Sequence, residues 1–294
     1  MYTDLDNFDS ILKFISSGIG VRPVGSNGLR MTRDYIEKKF RDFGLVPLFQ
    51  RFKFEEMDLD NVIASVPPQG EVEKVIVFVA HYDSVPVARG SMDNASGVAV
   101  ILELARVLKQ NLKLKHTELR FIALAGEEVG CVGSLAYLST LSELEKSKIY
   151  CAVNFDMFMS KKDENSTLVV NTMGGYNENN EFIVGTDEKP FDSVISKAIN
   201  ECVKMDEFAD IEKIQSEIWS PRNYGHSDHQ SFFENKIDSA NVTIRGAREI
   251  NGKLPSGYHT ERDFYNKAEF NFEQAKINLE LVYYSVIKLI SNLE

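Results

Sequence analysis

Two residues at the end of an apolar run, His81 and Asp83, have the types and the spacing of a metal-binding pair. The run 75–80 reads Val-Ile-Val-Phe-Val-Ala and is preceded by charged residues, which predicts a strand buried on both faces. His81 and Asp83 follow at its carboxyl end, where open α/β sheets bind their ligands. In a His-x-Asp pair the imidazole can coordinate a metal while the carboxylate fixes its tautomer. One such pair is weak evidence by itself.

Carboxylates also follow two later predicted strands. The strand at 118–125 leads into Glu127 and Glu128, and the strand at 148–155 leads into Asp156. Asp93, in the loop after the first strand, and His259, near the C-terminus, complete the candidate ligands. Two imidazoles and several carboxylates suit zinc or a similar divalent ion. If they hold two ions, one carboxylate must bridge them, and a further carboxylate is left to carry a proton.

Each of these residues taken alone has an ordinary structural explanation. A Glu-Glu pair after a strand is usually a solvated loop, and an aspartate before Asn-Ala-Ser-Gly is usually a turn or a helix cap. A single histidine such as His259 is most often a surface residue. Three separate strands that all end in candidate ligands are much harder to explain by chance, and this favours a metal site.

The elements that must position these residues alternate between strand and helix from residue 75 onward. The sequence predicts an α/β fold with three α/β/α layers and a mixed, mostly parallel central sheet. Further strands are predicted at 46–54, 61–66, 168–171 and 240–244, and helices at 4–17, 31–43, 98–108, 134–144, 191–205 and 272–293. With 294 residues and no evident linker, we expect a single domain over 1–294.

The composition limits the partners and the compartment. A net charge of −11 argues against nucleic acid and against an anionic membrane as general partners. The sequence has no apolar run approaching the roughly 20 residues of a membrane span, and its first residues do not resemble a signal peptide. We therefore expect a cytoplasmic protein if Met1 is the natural start, and a secreted or surface protein if a leader has been removed.

The three cysteines, Cys131, Cys151 and Cys202, are odd in number and share no C-x-x-C spacing. A disulfide framework or a thiolate zinc site is therefore not expected, and free thiols are. Cys131 lies just after the Glu127–Glu128 pair, so we expect it near the site without a part in the chemistry.

Five ordered motifs resemble those of the di-zinc bacterial leucyl aminopeptidase family, whose relatives include glutamate carboxypeptidases and glutaminyl cyclases. They are Ala80-His-Tyr-Asp-Ser84, Met92-Asp-Asn-Ala-Ser-Gly97, Gly126-Glu-Glu-x-Gly-x-x-Gly-Ser134, Asn154-Phe-Asp-Met157 and Tyr258-His-Thr260. The resemblance extends to Arg22-Pro-Val-Gly-Ser26 and Asn61-Val-Ile-Ala64 and so covers nearly the whole chain. It implies the fold of the zinc-dependent exopeptidases.

The resemblance also implies a role for each matching position. His81 and Asp156 would hold one zinc ion, Glu128 and His259 the other, and Asp93 would bridge the two. Glu127 would be the general base that activates a bridging hydroxide, and Asp83 would be the partner of His81. The family commonly has a cis peptide bond after the bridging aspartate, so we expect one between Asp93 and Asn94.

The segment Tyr224-x-x-Ser-Asp-His229 resembles a family loop in which a tyrosine hydroxyl steadies the oxyanion, although a tyrosine packed in the pocket wall is about as good an explanation. His226 and His229 are expected to be structural or to face the substrate, and neither is expected to be a ligand. His116 is expected in a surface turn.

The leading hypothesis is a zinc-dependent aminopeptidase that hydrolyses the N-terminal peptide bond of peptide substrates, with two Zn²⁺ ions or other divalent ions. A glutaminyl cyclase on the same fold and a carboxypeptidase remain alternatives. A catalytically dead binding scaffold is the third, and missing ligands would be its signature. The sequence leaves the preferred residue, the physiological substrate, the native metal and the oligomeric state open.

Overall fold

A computed structural model describes residues 2–162, 166–177, 179–185, 191–208, 217–219, 227–246 and 257–294. Within these residues one nine-stranded sheet forms the centre, in the order β1-β2-β4-β3-β5-β9-β6-β7, with β8 paired to β6. The strands are β1 Leu48–Phe54, β2 Met57–Val66, β3 Lys74–His81, β4 Thr117–Leu124, β5 Ile149–Phe155, β6 Ser166–Tyr176, β7 Phe182–Val184, β8 Glu217–Trp219 and β9 Ser239–Gly246.

The helices precede, connect and follow these strands. They are α1 Leu5–Lys13, α2 Asn27–Asp42, α3 Gly97–Asn111, α4 Val132–Ser139, α5 Glu143–Lys148, α6 Val194–Cys202, α7 His229–Glu234 and α8 Phe272–Ser291. A short stretch with wider π-helical turns, Phe14–Ile19, continues α1. The stretch Ser91–Ser96 precedes α3 and is kinked, because Asp93 and Asn94 have non-helical backbone angles.

Strand β3 shows why the fold has three layers. Ile76, Phe78 and Ala80 point into a core that includes apolar residues of α1, α2, α3, α6 and α8. Val75, Val77 and Val79 alternate with them and point into a second core with residues of α4 and α7. Successive side chains of a strand face opposite sides, so an unbroken apolar run requires cover on both faces. The predicted α/β class and its layers are confirmed.

The four central strands, β4, β3, β5 and β9, pair in parallel. Both flanks are mainly antiparallel, with β1, β2 and β4 on one side and β9, β6 and β7 on the other, while β8 pairs with β6 in parallel. The predicted mixed sheet is thus parallel at its centre and mainly antiparallel towards its edges. Because parallel strands end at the same edge, the residues after β3, β4 and β5 come together there.

Several element boundaries differ from those expected. The strand expected at 168–171 is the eleven-residue β6, which pairs with β9 over residues 166–174. The helix expected at 134–144 is two helices, because Ser142 starts α5 with a capping box in which it exchanges hydrogen bonds with Glu145. Helix α7 was not among the predicted helices. In the described part of the chain, no helix is both long enough and apolar enough to cross a membrane.

Candidate metal centre

The carboxyl edge of the parallel strands brings the candidate ligands together. His81 is the last residue of β3, Glu128 lies in the loop after β4, and Asp156 directly follows β5. The loop between β3 and α3 supplies Asp93, and the segment before α8 supplies His259. Residues from five parts of the chain therefore meet at one place.

Asp93 lies between the two imidazoles. Its Oδ1 is 3.1 Å from Nε2 of His81, and its Oδ2 is 3.2 Å from Nε2 of His259. A carboxylate that faces one imidazole with each oxygen has the geometry needed to join two cation positions.

Each imidazole has a second carboxylate beside it. His81 Nε2 is 3.4 Å from Oδ1 of Asp156, and His259 Nε2 is 3.1 Å from Oε2 of Glu128. The ligand atoms of His81, Asp93 and Glu128 all lie within 4.8 Å of one another. Of the predicted ligands, the structure therefore brings all five together, and it divides them into two imidazole–carboxylate pairs on either side of Asp93.

The buried polar atoms of the site match the needs of a metal ion. His81 is fully buried, yet neither of its ring nitrogens makes a hydrogen bond of acceptable geometry with the described residues. The same holds for Oε1 of Glu128 and Oδ1 of Asp156. Buried polar atoms are nearly always paired, so a set of convergent unpaired nitrogen and carboxylate oxygen atoms fits a divalent cation.

The electrostatics also favour cations. Burial opposes protonation of His81, but the neighbouring carboxylates Glu127, Asp156, Asp83 and Asp93 raise its pKa well above the ordinary value. Burial raises the pKa of Glu128 to about 7 and that of Glu127 to about 10. Carboxyl groups crowded in a buried site hold protons because ionisation is costly there, and a bound cation relieves this cost.

Asp83 does more than accompany His81. Its Oδ1 lies 3.5 Å from Nδ1 of His81, but the carboxylate accepts three backbone hydrogen bonds from the loop after β4. Oδ1 accepts the N–H groups of Gly126 at 2.9 Å and Glu127 at 3.2 Å, and Oδ2 accepts that of Glu128 at 3.2 Å. Asp83 therefore places the Glu127–Glu128 backbone relative to β3, a role that the sequence did not indicate.

Asn94 performs a similar function for Asp156. Its amide nitrogen donates to the carbonyl of Phe155 at 2.8 Å, and its Oδ1 accepts the N–H of Met157 at 3.2 Å. The residues on both sides of Asp156 are thus tied to the residue that follows Asp93. The Asp93–Asn94 peptide bond is cis, which confirms the expectation.

Glu127 is the carboxylate that the five ligands leave over. It is partly buried, and the thiol of Cys131 donates to its Oε1 over 3.9 Å. Cys131 therefore touches the candidate base, which is closer than expected. Cys131 and Met157, which lie beside the candidate ligands, and the candidate ligand His259 have positive φ angles of 56°, 60° and 53°. Backbone strain of this kind is common at functional sites.

Tyr224 and His226 lie outside the described residues, so the expectations for them stay predictions. Ser227 and Asp228 of the same segment are buried, and Asp228 accepts a hydrogen bond from Ser134 at 2.6 Å. His229 is buried and begins α7, where it is not among the site's ligand atoms. His116 is half-exposed near Glu73, as expected for a surface turn.

A family comparison agrees with this fold and site. Histidine and carboxylate side chains gathered at the carboxyl edge of an α/β/α sheet form a candidate divalent-metal site. The model of peptidase family M28 matches residues 61–282, which is most of the chain, and the chain belongs to this family.

Individual relatives include aminopeptidase YwaD of Bacillus subtilis (strain 168), which is 36% identical over 211 residues. The match covers 71% of this chain but only 40% of the length of YwaD. Among solved structures, the zinc aminopeptidase BSAP from Bacillus subtilis superposes with a TM-score of 0.80 at 20% identity, covering 97% of this chain and 95% of that one. A glutaminyl cyclase of Porphyromonas gingivalis superposes with a TM-score of 0.72 at 19% identity, covering 100% and 99%. These structural matches establish the shared fold.

Proposed function

We propose that this chain is a zinc-dependent aminopeptidase that removes the N-terminal residue of peptides. The observation that carries the proposal is the position of Asp93, whose two carboxylate oxygens each face a different histidine. Membership of peptidase family M28 and a relative named as an aminopeptidase support the reaction class. We further propose that residues 1–294 act as one catalytic domain.

The ligands divide into two sets in this proposal. His81 and Asp156 would hold one zinc ion, Glu128 and His259 would hold the other, and Asp93 would take part in both sets. Zinc bound there supplies Lewis-acid chemistry, which lowers the pKa of water and polarises the scissile carbonyl. Other divalent ions have ligand preferences close enough to enter the same set.

Glu127 is the proton carrier. Its backbone is held by Asp83, so its carboxylate is kept beside the ligands without being one of them. It takes a proton from the attacking water and delivers it to the leaving amine as the peptide bond breaks. Burial keeps its affinity for protons high, and a nearby cation favours the ionised form that a base requires.

The relative YwaD is named as an aminopeptidase, which supports action at a free N-terminus. Acetylation of the substrate blocks that terminus. The aminopeptidase direction therefore predicts a strong preference for free over N-acetylated peptides.

The test is a panel of aminoacyl chromogenic substrates with N-acetylated and C-terminally blocked controls, assayed before and after treatment with a chelator. We expect cleavage of free aminoacyl substrates, loss of activity with chelator and recovery on addition of zinc. Faster cleavage of the acetylated substrates would indicate a carboxypeptidase or an endopeptidase. No cleavage by the zinc-loaded protein would indicate a binding scaffold.

A glutaminyl cyclase is the second candidate, because the fold also superposes on the Porphyromonas gingivalis enzyme over the full chain. The two activities separate cleanly on one peptide with an N-terminal glutamine. Cyclisation releases ammonia and leaves the peptide bond intact, whereas an aminopeptidase releases free glutamine. Mass spectrometry of the product distinguishes the two outcomes.

A further inference from the structure

Arg22 is a fully buried arginine whose guanidinium donates hydrogen bonds to backbone carbonyl groups of the loop that carries Asp93. Its Nε donates to the carbonyl of Tyr82 at 3.0 Å, and its Nη2 donates to that of Gly90 at 2.9 Å. Nη1 donates to the carbonyls of Arg89 at 2.6 Å and of Gly20 at 2.7 Å. The planar guanidinium fits several acceptors at once, which a lysine ammonium cannot do in the same geometry.

Asp263 holds the same loop by its amide groups. Its Oδ1 accepts the N–H of Met92 at 2.8 Å, and its Oδ2 accepts the N–H of Asp93 itself at 3.1 Å. Asp263 is 1% exposed and lies four residues after His259. A single carboxylate therefore connects the backbone of the Asp93 position to the segment that carries His259.

We propose that Arg22 and Asp263 are positioning residues that fix the Asp93 carboxylate between the two imidazoles. The inference rests on the proposed function, because it assumes that Asp93 joins two metal ions. Arg22, in the N-terminal part of the chain, and Asp263, in the C-terminal part, both hydrogen-bond to the backbone of this loop. The loop between β3 and α3 is thus held at its carbonyls by a cation and at its amides by an anion.

The residue types suit these roles. Both oxygens of Asp263 accept backbone N–H groups, so an asparagine would turn an NH₂ group toward a donor and lose one of the two hydrogen bonds. Burial lowers the pKa of Arg22 to about 10, and the group remains a cation at neutral pH. It therefore attracts the buried Asp263 carboxylate as well as Asp83 and Asp93.

The two ion positions are expected to respond unequally to a change at Asp263. Asp263 is linked to the backbone of Asp93, which faces both ion positions, and through the chain to His259, which faces only the position shared with Glu128. His81 and Asp156 are positioned by the ends of β3 and β5. The side chain of Asn94 also hydrogen-bonds to the backbone of both neighbours of Asp156. Loss of the Asp263 hydrogen bonds should therefore lower zinc affinity most at the position formed by Glu128 and His259.

The test measures stepwise zinc binding by the full-length protein, with a chromogenic chelator as competitor, for wild type and Asp263→Asn. We expect the first equivalent to change less than the second, which should bind about 10–100-fold more weakly, as for other residues that orient ligands. Its kcat should fall at limiting zinc and recover with excess zinc, while KM stays unchanged. Equal affinity for both equivalents in the variant and in wild type would overturn the inference.

Asp238→Asn is the matched control. Asp238 is also a buried aspartate that accepts a backbone N–H, from Val194, but it precedes β9 at the opposite edge of the sheet. The Asp238→Asn variant should bind both equivalents of zinc with wild-type affinity. If Asp263→Asn does not fold, Asp263→Ser, which removes the carboxylate without placing an NH₂ group against Met92, takes its place.

Arg22→Lys gives a second, independent measurement. The variant keeps the positive charge but loses the planar guanidinium that donates to several carbonyl groups, so it should also bind zinc more weakly. An unchanged binding curve would contradict the role of Arg22. A wild-type protein that binds fewer than two ions would instead contradict the proposed function. The two failures are therefore distinguishable.

Discussion

The carboxylate of Asp83 accepts the backbone N–H of Glu128 at 3.2 Å, which ties the loop after β4 directly to the strand end that carries His81. The same carboxylate accepts the N–H of Glu127 through its other oxygen. Backbone atoms of the two glutamates are therefore fixed together, while their side chains contact different residues, Glu127 the thiol of Cys131 and Glu128 the imidazole of His259. This arrangement allows one glutamate to bind metal while its neighbour carries a proton.

The first prediction separates these two neighbours. Glu127→Gln keeps the shape of the side chain but removes the base, so metal content and melting temperature should stay close to wild type. The loss of a general base typically costs about 10²–10⁴-fold, and it should fall on kcat more than on KM. Steady-state kinetics and elemental analysis of the same preparation measure both effects.

Glu128→Gln is the matched variant for this comparison. It removes a charged ligand, so zinc affinity and thermal stability should fall along with activity. Near-normal turnover in Glu127→Gln, together with an inactive Glu128→Gln that keeps two ions, would mean that the two roles are reversed.

The central part of the fold could be predicted because its physical signals are local. The unbroken apolar run before His81 required burial on both faces, and β3 runs from Lys74 to His81 as expected. Strand β6 was underestimated because residues 172–176 are mostly small or polar. Its extension to Tyr176 depends on pairing with β9 and β7, which are distant in sequence. The sequence did contain a sign of the break between α4 and α5, because Ser142 and Glu145 have the types and spacing of a helix capping box.

The five candidate ligands that the structure brings together could be picked out from the sequence because each follows a recognisable strand or belongs to a motif. The residues that hold them in place could not, because their partners are backbone atoms of other segments. Asp263 contacts Met92 and Asp93 from 170 positions away in the sequence, and no pattern around it indicates those contacts. Sequence patterns report which side chains are available, whereas the hydrogen bonds to distant backbone appear only once the chain is folded.

The second prediction concerns metal removal. Without cations, the buried carboxyl groups around His81 lack compensating charge, so the metal-free protein should be less stable. Each ion contributes about 4 kcal/mol when free zinc exceeds its dissociation constant about 1,000-fold. Differential scanning calorimetry should show a lower melting temperature after dialysis against a chelator and recovery with zinc.

The control for this experiment is the same chelator saturated with zinc before use. It should leave the melting temperature unchanged. A melting temperature that is identical with and without metal would argue against two structurally coupled ions in the site.

The third prediction concerns the close approach of α3 to β5. A Cβ atom at Gly97 would lie 2.1 Å from the carbonyl oxygen of Phe155 and 2.4 Å from Oδ1 of Asn94. Gly97→Ala must therefore displace backbone beside Asp156, and we expect it to lower the free energy of unfolding by about 1–3 kcal/mol. Zinc affinity should fall as well, because Asn94 holds both neighbours of Asp156.

Gly18→Ala is a suitable control for Gly97→Ala. Its added Cβ would meet the ring of Phe14 at 3.3 Å, and a partly exposed side chain can yield. Denaturant unfolding and zinc titration should show little change. Equal effects of the two substitutions would show that loss of glycine, and not the contact with β5, is the cause.

The last prediction uses Asp238, which lies far from the metal centre and whose ionisation should make stability depend on pH. Asp238 is 4% exposed, and its Oδ1 has no hydrogen-bond partner among the described residues. Burial raises its pKa from 3.8 to about 7. The folded protein therefore binds a proton between pH 4 and 7 that the unfolded chain does not, so this contribution to stability is lost as pH rises through that window.

Asp238→Asn cannot ionise and should lack this dependence. The rise in pKa corresponds by linkage to about 4 kcal/mol at most over the whole window, of which about 2–3 kcal/mol separates pH 5 from pH 8. Urea unfolding of both proteins at these two pH values, at equal zinc loading, measures the difference, and other titrating groups cancel between them. We expect the variant to gain stability relative to wild type on going from pH 5 to pH 8. A constant difference between the two proteins would mean that Asp238 ionises in the folded state as readily as in the unfolded chain.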